Sequence, residues 1–528
     1  MRQKQYGQSA RRLVLSSALL GLIGCGGGGG GDGGASGGAS GGIQYTPGVF
    51  MASSSFAAQC AAPRAGIDPG TGRPYPDVGG SVTAENHWLR SWTNELYLWY
   101  REVPDLNPAS LPTTAAYFEL LRTTATTASG NPKDKFHFTF PTEQWRQLAQ
   151  SGVQAGYGLE WVIVSGQPPR RVVVAYTQPN SPATSANLTR GAEVLGVDNV
   201  DLIRTTTQAG IDTLNAGLFP STVGELHSFT VQDPGGGPPR LISMQSANVT
   251  SAPVQNVQVL STSTGLVGYM LFNDHIATAE SALVAAVQTL RNANVADLVL
   301  DIRYNGGGFL DIASEVAYMI AGSGPTAGRV FEALRFNDKH TVTNPLTGEP
   351  LTPVPFHTTT QFGQPLPTLN LGRVFVLTGP STCSASESII NSLRGVNVEV
   401  IQIGSTTCGK PYGFAPEDNC GTTYFSIQFQ GDNALGFGDY PDGFSPANTV
   451  SGAGVRVPGC SVADDFSRAL GDPQERRLAA ALQYRANQSC PAASGFAPGM
   501  LGITAMDQAD GVMRRGPWRE NRILRSTQ

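Results

Sequence analysis

The chain has 528 residues, 40% of them hydrophobic and only 14% charged, with 64 glycines and 36 prolines. That length and apolar content suffice for three folded units. A net charge of −5 with bases and acids near parity gives no basic surface of the kind nucleic acid requires, and no nucleic-acid partner is expected.

Residues 1–24 carry Arg2, Lys4, Arg11 and Arg12 ahead of an apolar run from Leu13 to Ile23. The run is too short for a permanent membrane span, and a basic flank before it is the pattern of an export signal. Leu22-Ile-Gly-Cys25 resembles a bacterial lipobox, which implies cleavage before Cys25 and acylation of that residue. An ordinary signal peptide ending near a chance cysteine is the alternative. The implied location is the bacterial cell envelope, lipid-anchored, on the periplasmic side or at the outer membrane. Residues 25–80 open almost wholly in Gly, Ser and Ala and read as a flexible tether with a mean span of roughly 40 Å.

Residues 81–150 read as a helical N-terminal region. Trp88, Trp92, Leu96 and Trp99 fall near one face, and aromatics at that spacing read as core. Residues 153–246 resemble a PDZ domain: Gly156-Tyr157-Gly158-Leu159 looks like its carboxylate-binding loop, and Asn180–Ala183 and Leu188–Val197 look like its later helix and strand. Such a domain implies a peptide C-terminus as partner, taken by strand addition with backbone amides on the terminal carboxylate. A small β-rich domain without a peptide ligand is the plainer reading.

From residue 255 to 460, strand and helix alternate, which argues an α/β core with parallel pairing. Val267–Phe272 is strand-like, and 277–292 has Leu283, Val287 and Leu290 at helical core spacing. Leu298–Asp301 is a buried strand running into Gly306-Gly307-Gly308, where the missing Cβ atoms let backbone approach a ligand closely. Arg373–Thr378 is the next strand, followed by a turn and a helix from Ser386, with Ser384 at the strand-to-helix turn. Residues 396–404 form a further strand, and Lys410 lies in the loop beyond it, 26 residues after Ser384.

A serine hydroxyl is a weak nucleophile until a base takes its proton, and a lysine whose pKa is lowered by burial can be that base. Serine–lysine pairs are a known form of the acyl-transfer site. Free amides at the start of the helix after Ser384 can stabilise an oxyanion. On composition alone, Ser384 would be a helix cap, Lys410 a solvated charge, and Glu387 a carboxylate answering a helix dipole.

Asp301-Ile-Arg303-Tyr-Asn305-Gly-Gly307-Gly308, then Ser384-Ala385-Ser-Glu387, then Gly409-Lys410, in that order, resemble the C-terminal processing (tail-specific) proteases over about residues 85–430. The resemblance implies a multidomain α/β fold with a helical N-terminal region, a PDZ-like β-rich domain and a crotonase/ClpP-like α/β catalytic core. It implies Ser384 as nucleophile, Lys410 as general base, Glu387 orienting the lysine, and the amides of Ala385 and Gly307 or Gly308 as oxyanion hole. It implies protein or peptide substrates met at or near their C-termini, and no cofactor. The chain departs from the family in three places. The serine-to-lysine spacing is one residue longer, Cys408-Gly-Lys-Pro411 replaces Phe-Gly-Lys-Gly, and Phe414 stands where some members have glutamine. Asp301 and Arg303 read as a structural ion pair.

Two rival chemistries fail. Gly404-Ser-Thr-Thr-Cys-Gly409-Lys410 matches the start of a phosphate-binding loop, but Pro411 holds the Ser/Thr position and no helical pattern follows. The six histidines lack metal-ligand spacing, so no metal is expected. A catalytically silent relative that binds protein C-termini through its PDZ domain is the remaining alternative.

Besides Cys25 there are six cysteines, an even number that suggests disulfides in an exported protein. Of the fifteen pairings possible, the expected set is Cys408–Cys420, which would clamp the lysine loop, Cys460–Cys490, and Cys60–Cys383. Cys383 as a free buried thiol is the alternative. Residues 461–528 read as a C-terminal segment whose arginine-rich end, Arg514–Arg525, is a solvated tail or touches anionic lipid.

Overall fold

The computed structural model describes residues 44–450, 452, 454–492 and 521–524. The export signal and Cys25 lie outside the described residues. Ser81 accepts a hydrogen bond from Ala84 N–H at 3.2 Å and starts helix α1 (Val82–Leu96), as an N-cap serine does. Trp88 and Trp92 stack with ring centroids 5.3 Å apart and are buried with Phe56, Tyr117, Phe118 and the distant Tyr424. Trp99 does not share that face. The helix stops at Leu96, and Trp99 meets Tyr412 edge-on at 4.7 Å. The 81–150 region is helical only in part. Beyond α1 it holds α2 (Thr114–Glu119), a short helix at Thr142–Arg146, and a strand, Phe138–Pro141, paired with Thr422–Phe425. Phe138 and Phe140 alternate with polar residues, so a strand period overrode the helical reading.

The next region contains β1 (Val153–Gly156), β2 (Leu159–Ser165), β3 (Arg171–Thr177), β4 (Glu193–Val197), α3 (Gln208–Leu218), β5 (Leu226–Gln232), β6 (Arg240–Gln245) and β7 (Ala247–Thr250). β1 and β7 pair antiparallel, so the two ends of the region meet. The main sheet runs β6-β5-β4-β3-β2, with β2 at its end. Val172 and Val174 of β3 face the region's own core, whereas Val173 and Ala175 pack with Val267, Tyr269 and Leu271 of the neighbouring sheet. Burial on both faces explains the uninterrupted apolar run Val172–Ala175.

The neighbouring sheet is built from β8 (Val254–Thr262), β9 (Gly265–Phe272), α4 (Ala279–Asn292), β10 (Asp297–Asp301), β11 (Gly307–Phe309), α5 (Leu310–Ala321), β12 (Arg373–Thr378), α6 (Ala385–Gly395), β13 (Glu399–Gly404), β14 (Gly459–Ser461) and α7 (Arg476–Asn487). Its order is β8-β9-β10-β12-β13-β14, parallel throughout except for β8. Leu298, Leu300, Val374 and Val376 turn to the α4–α5–α6 side, while Val299, Phe375 and Leu377 turn to Leu478 and Ala481 of α7. Among the described residues no helix is long and apolar enough to cross a membrane.

The tail differs from its expectation. Asn521–Ile523 forms β15, parallel to β11, with Ile523 only 2% exposed. Ile523 and Leu524 are the sole apolar residues between Arg519 and Gln528, and they meet a strand edge that the main sheet leaves unpaired.

Candidate active site

β12 ends at Thr378, and the turn after it is tied to the glycine turn after β10. Thr382 Oγ donates to Ile302 O at 2.8 Å and accepts from Gly379 N–H, and Cys383 N–H donates to Asn305 O at 3.1 Å. The chain then turns sharply: Ser384 has φ 61° and ψ −116°, a conformation that costs a residue with a Cβ and clusters at functional turns. Its hydroxyl is buried and has no hydrogen-bond partner among the described residues. Ala385 opens α6, so its amide is one of those that helix geometry leaves without an intrahelical acceptor.

Glu387, one turn into α6, is fully buried and accepts from Ser384 N–H (2.9 Å), Gly409 N–H (2.9 Å), Lys410 N–H (2.8 Å) and the Thr407 hydroxyl. Burial pushes its carboxyl above the usual carboxylate range, against the pull of Thr407 and of the Lys410, Ser384 and Gly409 amides. One carboxylate oxygen thus takes the backbone N–H of both Ser384 and Lys410. The contact made with the lysine residue is to its main chain. Gly409 reaches this loop at φ +82°, where a Cβ would lie 2.2 Å from Pro441 O. The Lys410 side chain is buried, with Nζ 4.3 Å from the Phe414 ring centroid and 4.6 Å from that of Phe136.

The cysteines pair differently from expectation. Cys383–Cys408 joins the residue before Ser384 to the loop of Lys410, with Cα atoms 5.1 Å apart, and Cys60–Cys420 joins the N-terminal region to a hairpin. The expected Cys408–Cys420 and Cys60–Cys383 bridges are therefore absent, while Cys460–Cys490 forms as expected. The reason is topological. β12 and β13 are parallel neighbours, so the loops leaving them lie side by side, whereas the hairpin at 417–425 carries Cys420 away to the strand at 138–141. Cys383, Glu387 and Cys408 bring three possible metal-ligand atoms within 4.8 Å, but the two sulfurs are bonded to each other.

Of the two glycines expected at the oxyanion hole, Gly307 has its N–H committed to Asn305 Oδ1 at 2.9 Å, and its carbonyl accepts from His275 N–H. Phe309 N–H donates to His275 O on the same side. Strand alternation then turns Gly308 N–H and C=O to the other edge, the one β15 pairs with. A Cβ on Gly308, at φ +140°, would lie 2.5 Å from His275 O. Asn305 is the hub of this turn. Its Oδ1 takes Gly307 N–H and His275 Nδ1, its Nδ2 donates to Phe272 O, and its own carbonyl takes Cys383 N–H and the Ser386 hydroxyl. Burial pushes the His275 imidazole down to about 3, so it is neutral. Asn305, His275, Thr407 and Phe136 were not singled out from sequence. Asn305 lies inside the Asp301–Gly308 motif, but Phe136 is brought in by packing and has no local signal.

Asp301 and Arg303 do form a buried ion pair, as expected, within a larger cluster. Arg303 donates to Asp301 (2.9 Å), to Asp464 (2.8 Å) and to both oxygens of Glu475 (2.9 Å each). Arg190, from the β-rich region, reaches Asp464 and the Tyr304 hydroxyl, both at 2.7 Å. Burial would raise the Asp464 carboxyl, but Arg477, Arg303 and Arg190 hold it far below the usual range. The base of the glycine turn is thereby tied to the β-rich region.

In the loop expected to bind peptide ends, Gly156 closes β1 and Leu159 opens β2. Tyr157 is buried with its hydroxyl donating to Gly217 O at 3.0 Å, so only backbone is offered there. Gly158 O accepts from Gln178 N–H at 2.7 Å.

Residues 264–414 match Peptidase family S41. Two curated relatives are a carboxyl-terminal-processing protease of Picosynechococcus sp., 27% identical over 51% of this chain and 58% of its own, and the chloroplastic carboxyl-terminal-processing peptidase 2 of Arabidopsis thaliana, 28% identical over 32% of each chain. The matched segments thus span about half or less of those relatives. A solved Bacteroides fragilis protein described as an S41 protease superposes with a TM-score of 0.56 at 22% identity, covering 79% of this chain and 98% of the other, a likeness of fold. The matched residues run from β9 to Phe414 and include Gly307, Gly308, Ser384, Glu387 and Lys410, so the chain contains a Peptidase family S41 domain.

Proposed function

We propose that this protein is a serine endopeptidase in which Ser384 is the nucleophile and Lys410 the general base. The observation that carries the reading is the Ser384 turn. A strained, positive-φ serine with a buried, unpartnered hydroxyl is held to the loop of a buried lysine by one carboxylate and one disulfide. Lys410 in its neutral form takes the Ser384 proton as Oγ attacks the scissile carbonyl. The amides of Ala385 and Gly308 receive the oxyanion, and Gly307 supports the strand that carries the second donor. Lys410 then passes the proton to the leaving amine, and water, deprotonated by the same lysine, releases the acyl group. Glu387 is a positioning residue that holds the backbone on both sides of the pair.

The substrates in this reading are exported proteins cut at or near their C-termini. β2 ends its sheet and leaves an edge for an added strand beside α3, with the Gly156–Leu159 loop at its start, which supports a PDZ-type end-binding role for that region. A lipid anchor at Cys25 would hold the enzyme in the bacterial envelope.

The test is proteolysis of an unfolded protein at internal and C-terminal peptide bonds, followed by mass spectrometry. New fragments from wild type and none from Ser384→Ala are expected. Intact substrate after prolonged incubation with wild type, alongside measurable binding of free peptide C-termini, would instead favour a silent end-binding protein.

A further inference from the structure

We propose that Asn521–Leu524 occupies the substrate strand of the candidate active site, so that the chain's own C-terminal segment competes with substrate. The inference rests on the peptidase reading of the same site. It adds a substrate preference: extended chains presenting a large aliphatic residue where Ile523 sits.

Four observations place the tail there. β15 pairs in parallel with β11, with Gly307 opposite Asn521, Gly308 opposite Arg522 and Phe309 opposite Ile523. The other edge of β11 is already used by His275, so β15 takes the edge toward which Gly308 points. On its far side the tail meets Phe414: Ile523 bridges that residue, and Leu524 N–H donates to Phe414 O at 3.2 Å. Phe414 is the ring against which Lys410 Nζ packs, and α6, which starts at the candidate nucleophile, touches both β11 and β15. The tail therefore lies between the candidate oxyanion strand and the residue covering the base.

The chemistry of the contact is that of substrate capture. Two glycines face the tail, so main-chain hydrogen bonds rather than cross-strand side chains hold it, which is how an extended peptide is taken by strand addition. The selective element is Ile523, buried beside a cavity whose wall joins the apolar Trp145, Leu148, Ala149 and Phe309 to the polar Asn273 and Asp274. Among the described residues of this arginine-rich segment, Ile523 and Leu524 are the aliphatic pair, and Ile523 is the buried one. Because the occupant is tethered, it competes at an effective concentration set by its linker, which a free substrate must exceed.

The experiment uses the full chain with native tail, with Ile523→Asp, and with the chain ended at Glu520, the last guarding against misfolding of the point variant. A fluorescent peptide of residues 521–528 is titrated against each in a Ser384→Ala background, and an unfolded protein is digested in the Ser384 background. Freed clefts are expected to bind the peptide at least about tenfold tighter than the native-tailed chain, as removal of an intramolecular competitor requires. The same variants should digest with KM several-fold lower and kcat unchanged. Ile523→Val should behave as wild type. If activity falls in both tail variants and neither gains peptide affinity, Ile523 is a packing residue and the proposal is wrong. If the freed clefts bind peptide but no form cleaves, the tail placement stands and the peptidase reading fails. Equal digestion by all forms with no peptide binding overturns the proposal and leaves the peptidase reading intact.

Discussion

At the residue scale the site depends on Glu387, which takes three amides and one hydroxyl from the two loops it joins. A carboxamide has one acceptor oxygen and would set its NH₂ group against donors. Glu387→Gln should therefore lower kcat by about a hundredfold, the loss expected when pre-aligned groups are displaced, while KM changes little. Steady-state kinetics of the folded variant checks this, and an unchanged kcat would show that the carboxylate does not set the alignment. The disulfides separate activity from stability. Cys383–Cys408 closes 25 residues beside the site, whereas Cys60–Cys420 closes 360 residues away from it. On chain entropy the longer loop stabilises by about 2 kcal/mol more. Replacing Cys60 and Cys420 by alanine should cost more in Tm, and replacing Cys383 and Cys408 more in kcat. The opposite ranking in calorimetry and kinetics would contradict this account.

At the scale of elements, the parallel core was legible because its strands are continuous apolar runs and its helices keep a 3.6-residue period. Expected bounds for β9, β10, β12 and α4 fall within a few residues of those observed. The expected end of α1 was too late because Trp99 is apolar enough to continue the pattern while packing elsewhere. Disulfide pairing was not legible, since it follows from which strands are neighbours, a long-range property. The serine, the lysine and the glycines could be located from motif order, but not the use of Gly307 N–H by Asn305 or the lysine's nest of Phe136 and Phe414. Two element-level substitutions probe what holds these pieces. Gly409→Ala forces a Cβ into Pro441 O and should displace the lysine loop, abolishing activity while the cooperative unfolding transition persists. Arg303→Ala leaves Asp301, Asp464 and Glu475 buried without their shared cation and should cost about 3–5 kcal/mol in chemical denaturation. A cost below about 1 kcal/mol, the range of exposed pairs, would show the cluster to be energetically idle.

At the scale of the whole molecule, two buried histidines link stability to pH. Burial holds His137 at about 4 and His275 at about 3, against 6.5 for the free imidazole. Below pH 6.5 the unfolded chain takes up protons that the folded chain refuses. Stability therefore falls as pH drops from 6.5 toward 4, by up to about 1.4 kcal/mol per pH unit for each histidine. Urea denaturation at pH 7.5, 6, 5.5 and 5 should show this slope, and His137→Gln should roughly halve it. A flat profile between pH 6.5 and 5 would mean that these imidazoles are not held neutral. The β-rich region, the core sheet and the N-terminal helix share buried clusters and the Arg190–Asp464–Arg303 links. Binding at the β-rich edge can thus bear on the glycine turn through those contacts.

The serine–lysine assignment is tested most directly by digestion of an unfolded protein with wild type, Ser384→Ala and Lys410→Ala, each first shown to unfold at the same temperature. Cleavage by wild type alone is expected, with either alanine lowering the rate about a thousandfold or more, as for members of one catalytic unit. Cleavage by both variants at the wild-type rate would place the chemistry elsewhere and contradict the assignment of the serine–lysine pair.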